Sequence, residues 1–382
     1  MSADRPSPSD HEDRPRERPA RRLAAHLALG LLALAAGLGA GELLCRWAPV
    51  ERPPLRFEGF GGRMGEHSVM REVVSSAVIP DPDLFWRLAP GTTLSPNPWM
   101  PGLVANRQGL RETAEVPLER PASELRILFL GDSCTFGWGL REEESLVAQV
   151  EAALRARLPD RPIQCINAGV PAYTAFQGWR YLVTEGLAFA PELVVVTFGN
   201  NESISWDDRS DLEHWAAWQA TRPPAGLQWS ALARLLFRAL ATAPGKAAGG
   251  PPRPRLLPAE FRDVLGRIAG ASTHAGADVL YLSWPVRENL EPHRTADDRH
   301  PLQQVIAGLA AGPAPRGLAT LDLVPLAHRL ADRHPLPELY VDGIHGTALA
   351  NREYARAVAD RIAGWVTTTR PDLPPAGAPA ER

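Results

Sequence analysis

From residue 124 onward, short apolar runs alternate with longer stretches of helical period. The strand candidates are 126–130, 162–167, 193–198, 278–283 and 318–322, and the runs at 126–130 and 193–198 carry apolar side chains at nearly every position. Runs that short and that continuous read as strands buried on both faces. Between them, apolar positions recur every three to four residues over 143–157, 175–188, 259–275, 298–311 and 324–333, and a last helical pattern covers 348–366. Strand and helix in alternation predict an α/β fold whose sheet is parallel, with helices on both faces. Five strands suit a three-layer α/β/α sandwich.

A different pattern precedes it. Leu23 to Ala40 is Leu, Ala and Gly with only His26 polar, near the lower limit for a membrane-spanning helix. Arg14, Arg16, Arg18, Arg21 and Arg22 lie before it, and Arg46, Arg52 and Arg56 after it. The bias toward the leading side predicts a cytoplasmic tail and an extracytoplasmic remainder, periplasmic or at the cell surface. The alternative is a cleaved signal peptide, because Gly37-Leu38-Gly39-Ala40 is small enough for processing. Cys45 does not make a lipoprotein, since Glu42 stands where a small or apolar residue belongs.

The expected organisation is a disordered tail (1–22), a transmembrane anchor (23–41), an irregular Gly- and Pro-rich lead-in (42–123) packed on the main domain (124–368), and a disordered tail (369–382). One insertion, 202–257, breaks the strand–helix rhythm. It gathers Trp206, Trp215, Trp218 and Trp229 with Asp207, Asp208, Asp211 and Glu213. Tryptophans at helical spacing pack a core, or present stacking faces to a carbohydrate with carboxylates for its hydroxyls. Trp229, Leu232, Leu235, Leu236, Ala239 and Leu240 share one helical face, which suits a core or a membrane surface. Lys246 to Pro254 reads as a flexible linker.

Composition narrows the function. A net charge of −3 with 22% charged residues lacks the basic stripe of a nucleic-acid protein. Cys45, Cys134 and Cys165 are too few for a disulfide scaffold or a zinc site, and the ten histidines show no ligand spacing. Neither a metal nor a cofactor is expected.

The candidate chemistry sits where strands stop. The first run ends in Gly131-Asp132-Ser133, the third in Gly199-Asn200-Asn201-Glu202, and Asp342-Gly343-Ile344-His345 follows the last strand. In a parallel sheet such ends converge in space. A serine hydroxyl needs an adjacent base that a third group orients, and Ser133, His345 and Asp342 supply those types. The nucleophile elbow G-x-S-x-G of α/β-hydrolases is missing. Taken singly, Gly-Asp-Ser and Asp-x-x-His are turns and helix caps. It is their order, each at a strand end, that points to catalysis.

Together these blocks resemble the SGNH (GDSL-type) hydrolase family, over about 124–367. Pro82–Pro90 and Asn106–Arg111 look like the lead-in of its membrane-anchored bacterial members. The resemblance implies a flavodoxin-like sandwich, Ser133 as nucleophile, Asp342 and His345 as orienting acid and base, and an oxyanion hole from the Ser133 N–H, the Asn201 side chain and a second-block glycine. That glycine falls on Ala172, five residues after Asn167, with Gly169 as the fallback. Ala keeps the N–H but is uncomfortable at positive φ. Glu202 for Asp and Gly346 for the usual proline are smaller departures. By this analogy the chain is expected to be a serine esterase removing a short acyl group, an acetyl above all, from a cell-surface or secreted glycan. An O-acyltransferase using the same residues is one alternative; a non-catalytic glycan-binding or assembly protein that keeps the fold is another.

Overall fold

A computed structural model describes residues 19–47, 76–96, 101–205, 207–240, 250–309 and 318–369. The first part of the N-terminal tail, much of the lead-in, Trp206, the start of the linker and the C-terminal tail from 370 lie outside the described residues. The chain forms two compact units, Met1–Val50 with Ala220–Ala243, and Glu51–Gln219 with Pro244–Arg382.

The larger unit opens with four short strands, β1 (Val78–Asp81), β2 (Phe85–Leu88), β3 (Thr93–Leu94) and β4 (Leu103–Val104), in two antiparallel pairs. Its main sheet holds β5 (Leu125–Gly131), β6 (Ile163–Gly169), β7 (Leu193–Thr197), β8 (Asp278–Ser283) and β9 (Leu318–Asp322), all parallel, in the order β6-β5-β7-β8-β9. That is the flavodoxin-like winding, which reverses direction between β5 and β7.

Alternation along each strand builds two cores. Leu128, Leu130, Val194, Val196, Val279 and Tyr281 point to one face, against helices Ala175–Thr184, Pro258–His274 and Pro301–Leu309. Leu125, Ile127, Phe129, Leu193, Val195, Leu280 and Leu282 point to the other, against Leu146–Arg157, Val324–Ala331 and Ala348–Thr369. Side chains of period two on both faces explain why the runs looked continuously apolar.

The smaller unit contains α1 (Pro19–Arg46), within which Arg21–Arg46 is long and apolar enough to cross a membrane. The helix runs past the apolar stretch Leu23–Ala40 at both ends. A second helix, Ala231–Leu240, belongs to the same unit.

Candidate active site

The reversal between β5 and β7 opens a crevice at their carboxyl ends. Ser133 begins a one-turn helix, Ser133–Phe136, immediately after β5. Two glycines let that turn sit against the strand ends: a Cβ on Gly131 would meet Thr135 Oγ1 at 2.0 Å, and one on Gly169 would meet Phe136 N at 2.4 Å. Asp132 caps the turn, its Oδ1 accepting the Cys134 N–H at 2.8 Å. The simple cap reading of Gly-Asp-Ser therefore holds for Asp132.

The Ser133 hydroxyl lies 2.7 Å from His345 Nε2, and His345 Nδ1 lies 2.6 Å from Asp342 Oδ2. The turn that carries the latter two is held within itself. Asp342 Oδ1 accepts the backbone N–H groups of Ile344 and His345, both at 2.9 Å. Partial burial disfavours the Asp342 charge, but the His345 ring and those N–H groups outweigh it and bring its carboxyl down to about 2. The aspartate is thus a carboxylate at any ordinary pH. Trp284 Nε1 donates to Ile344 O at 3.1 Å, and the Trp138 ring lies against the imidazole with centroids 6.0 Å apart.

Opposite this turn lies the loop after β6. Ala172 adopts φ +64, a left-handed backbone that most L-residues avoid. Both neighbouring peptides are gripped from behind. Trp86 Nε1 donates to Pro171 O at 3.2 Å, and Arg255 Nη1 donates to Ala172 O at 2.6 Å. Because a trans peptide aims its C=O and N–H in opposite directions, fixing Pro171 O also fixes the Ala172 N–H. Gly169 differs: its N–H already donates to Asn167 Oδ1 at 3.0 Å. The Asn201 amide reaches Tyr173 O at 3.0 Å and Asp132 Oδ2 at 3.3 Å. Asn200 donates to the same Asp132 oxygen at 3.0 Å. Glu202 accepts from Ala175 N and Gly199 N, both at 2.9 Å, tying this loop to the one after β7. Burial pushes the Glu202 carboxyl up to about 7, and the Asp132 charge adds to this.

Arg255 is the centre of a buried polar network. Its guanidinium makes an ion pair with Asp211 at 2.8 Å, with both side chains at 0% exposure, and donates to Gln177 Oε1 at 2.7 Å. Thr174 Oγ1 donates to Asp211 Oδ2 at 2.8 Å. Of the other acids of that cluster, Asp207 pairs with His214 and Glu213 with Arg253, while Asp208 Oδ2 accepts the Gly250 N–H at 3.4 Å. Trp215 packs on Phe176 and Trp179, and Trp218 Nε1 donates to Pro82 O. The acidic, aromatic segment therefore acts as internal structure at Trp215 and Trp218.

A cleft of about 740 Å³ adjoins the site. It shares Asn200, Gly343 and Ile344 with the loops just described, and Trp284, Arg287, Glu288, His300 and Gln303 also line it. Sequence reading missed Asp132 as a shared acceptor, Asn200, and the Trp86–Arg255–Asp211 brace. A buried arginine is recognisable only once its partner, 44 residues away, is known.

The model of the GDSL-like lipase/acylhydrolase family matches residues 129–353, more than half of the chain. Curated protein sequences give no match. Among solved structures, the lipase/acylhydrolase from Enterococcus faecalis is 20% identical, covering 63% of this chain and 95% of its own, with a TM-score of 0.40. An acetylxylan esterase from Geobacillus stearothermophilus is 16% identical, covering 62% of this chain and 93% of its own, with a TM-score of 0.39.

Proposed function

This chain belongs to the GDSL-like lipase/acylhydrolase family and is a hydrolase of esters, and on that premise we propose that Ser133, His345 and Asp342 are its catalytic triad. The observation that carries this reading is the unbroken line of short hydrogen bonds from Ser133 Oγ through His345 to Asp342. Ser133 Oγ attacks the ester carbonyl carbon while its proton passes to His345 Nε2. The tetrahedral adduct collapses, the alcohol leaves with that proton, and water repeats the sequence on the acyl-enzyme to release the acid. Asp342, a carboxylate throughout, holds the ring and offsets its transient positive charge. The N–H groups of Ser133 and Ala172 receive the developing oxyanion, joined by the Asn201 Nδ2–H that makes the longer contact to Asp132 Oδ2, at 3.3 Å, and turns from it to the substrate.

The substrate class is an acetyl or similarly short acyl ester on a glycan outside the cytoplasm. The adjoining cleft supports this, being far larger than a short acyl group needs and lined by charged and amide side chains that suit a hydroxyl-rich alcohol portion. The apolar helix supports membrane attachment, and the leading arginines support an extracytoplasmic catalytic unit.

Ser133→Ala is expected to lower the hydrolysis rate of a small aryl acetate by roughly four orders of magnitude or more, with circular dichroism unchanged. A variant retaining more than about a tenth of the rate would refute the triad assignment. Acetate release from acetylated polysaccharides, compared across sugar types, tests the substrate class.

A further inference from the structure

The smaller unit contains an arrangement that ester hydrolysis does not need. Glu42, close to the end of the apolar helix α1, receives three donors from the start of the helix Ala231–Leu240, here α2. These are Ser230 Oγ at 2.8 Å, Ala231 N at 3.0 Å and Leu232 N at 3.1 Å. Arg46 Nε adds a fourth at 3.1 Å. A carboxylate on the first N–H groups of a helix satisfies donors that have no partner within it. Leu232 packs on Gly41, where an added Cβ would lie 3.3 Å from the leucine side chain. One end of α2 is thus pinned to α1 at residues 41–42.

That position is informative. From Leu23 to Ala40 an α-helix rises about 27 Å, close to the thickness of a bilayer's hydrocarbon core. Glu42 then falls at the boundary between hydrocarbon and headgroups, and α2 begins at that level. Its composition fits the place. Seven of the ten residues in ALARLLFRAL fall on one broad apolar arc, and Arg234 and Arg238 fall on the other side. Leu235 and Leu236 are 50% exposed, Leu240 79%, and the preceding Trp229 69%. An amphipathic helix with Leu, Phe and Trp on one side and arginine on the other suits a membrane interface.

We propose that α2 is an interfacial helix, its Leu235, Leu236 and Leu240 face lying in the acyl boundary of the same bilayer that α1 crosses, with Arg234 and Arg238 at the headgroups. The occupant of the exposed face is lipid. This rests on the reading of α1 as a spanning helix. Its consequence is that the insertion, which supplies Arg255 and Asp211 to the oxyanion loop, has a membrane contact of its own in addition to the N-terminal anchor.

Spin labels in the full chain, reconstituted in lipid vesicles, test this. In a Cys45→Ser background, single nitroxides are placed at Leu31→Cys, Leu236→Cys, Leu240→Cys and Arg238→Cys; the native Cys134 and Cys165 are buried. Labels at 31, 236 and 240 should collide several-fold more often with oxygen than with a water-soluble nickel chelate, and the label at 238 should show the reverse. If 31 behaves as expected while 236 and 240 meet the nickel chelate as freely as 238 does, α2 lies in water and the proposal is wrong. Labels at 236 and 240 shielded from both reagents, with dipolar broadening between copies, would mean a protein-covered face and would equally overturn it. A label at 31 open to nickel would instead remove the spanning helix itself, and this proposal with it.

Discussion

The two sides of the crevice are built by opposite means. On the side of the proposed base, Asp342, Gly343, Ile344 and His345 form a four-residue turn whose acid binds its own backbone and the histidine ring. On the side proposed to hold the oxyanion, Ala172 is held in a left-handed conformation by residues 86 and 255, and Arg255 is neutralised by Asp211 from the insertion. The first arrangement is local and costs little to assemble. The second needs four distant segments to be folded before one N–H points correctly. The difference predicts that changes on the base side remove a chemical group outright, whereas changes on the oxyanion side degrade aim.

Asn201 is where the two effects meet, because it is held by remote residues and is proposed as a direct donor. Asn201→Ala should lower kcat roughly 10²–10³-fold with little change in KM, as expected for a bond made mainly in the transition state. A KM effect with kcat preserved would place Asn201 in ground-state binding instead. The brace behind the loop should matter less. Arg255→Lys keeps a charge for Asp211 but loses the forked geometry that reaches Asp211, Gln177 and Ala172 O together. We expect kcat to fall about tenfold and KM to move less than twofold in the fraction that remains folded. A purely structural role would lower the melting temperature and leave that kcat untouched.

Ala172→Gly gives the smallest expected change. Glycine removes a left-handed strain of about 1 kcal/mol but adds a similar freedom to the unfolded chain and loosens the loop. Activity should stay within about threefold of the parent enzyme. A large loss would show that the alanine methyl, 3% exposed, packs against something the reaction needs.

The same contrast explains what could be read from the sequence. All five strands of the main sheet were legible, most clearly β5 and β7, because central strands buried on both faces leave a nearly unbroken apolar run, whereas the half-buried β9 carries Thr320 and Asp322. Gly131-Asp132-Ser133 and Asp342–His345 were legible because each block is contiguous and its residue types are chemically specific. The position of Ala172 followed from the family spacing, whereas its left-handed backbone could be suspected but not read, since φ is not written in an alanine. Arg255 and Asp211 looked like ordinary charges of an acidic, aromatic insertion, and only folding makes them one buried pair. The lead-in read as irregular because strands of two to four residues are too short to display a period.

The triad is the central claim, and covalent capture tests it most directly. A small aryl phosphonate ester should phosphonylate the protein once, and peptide mass analysis should place the adduct on Ser133, with labelling abolished in His345→Ala, whose serine lacks its base. An adduct on another residue, or undiminished labelling of Ser133 without His345, would contradict the account.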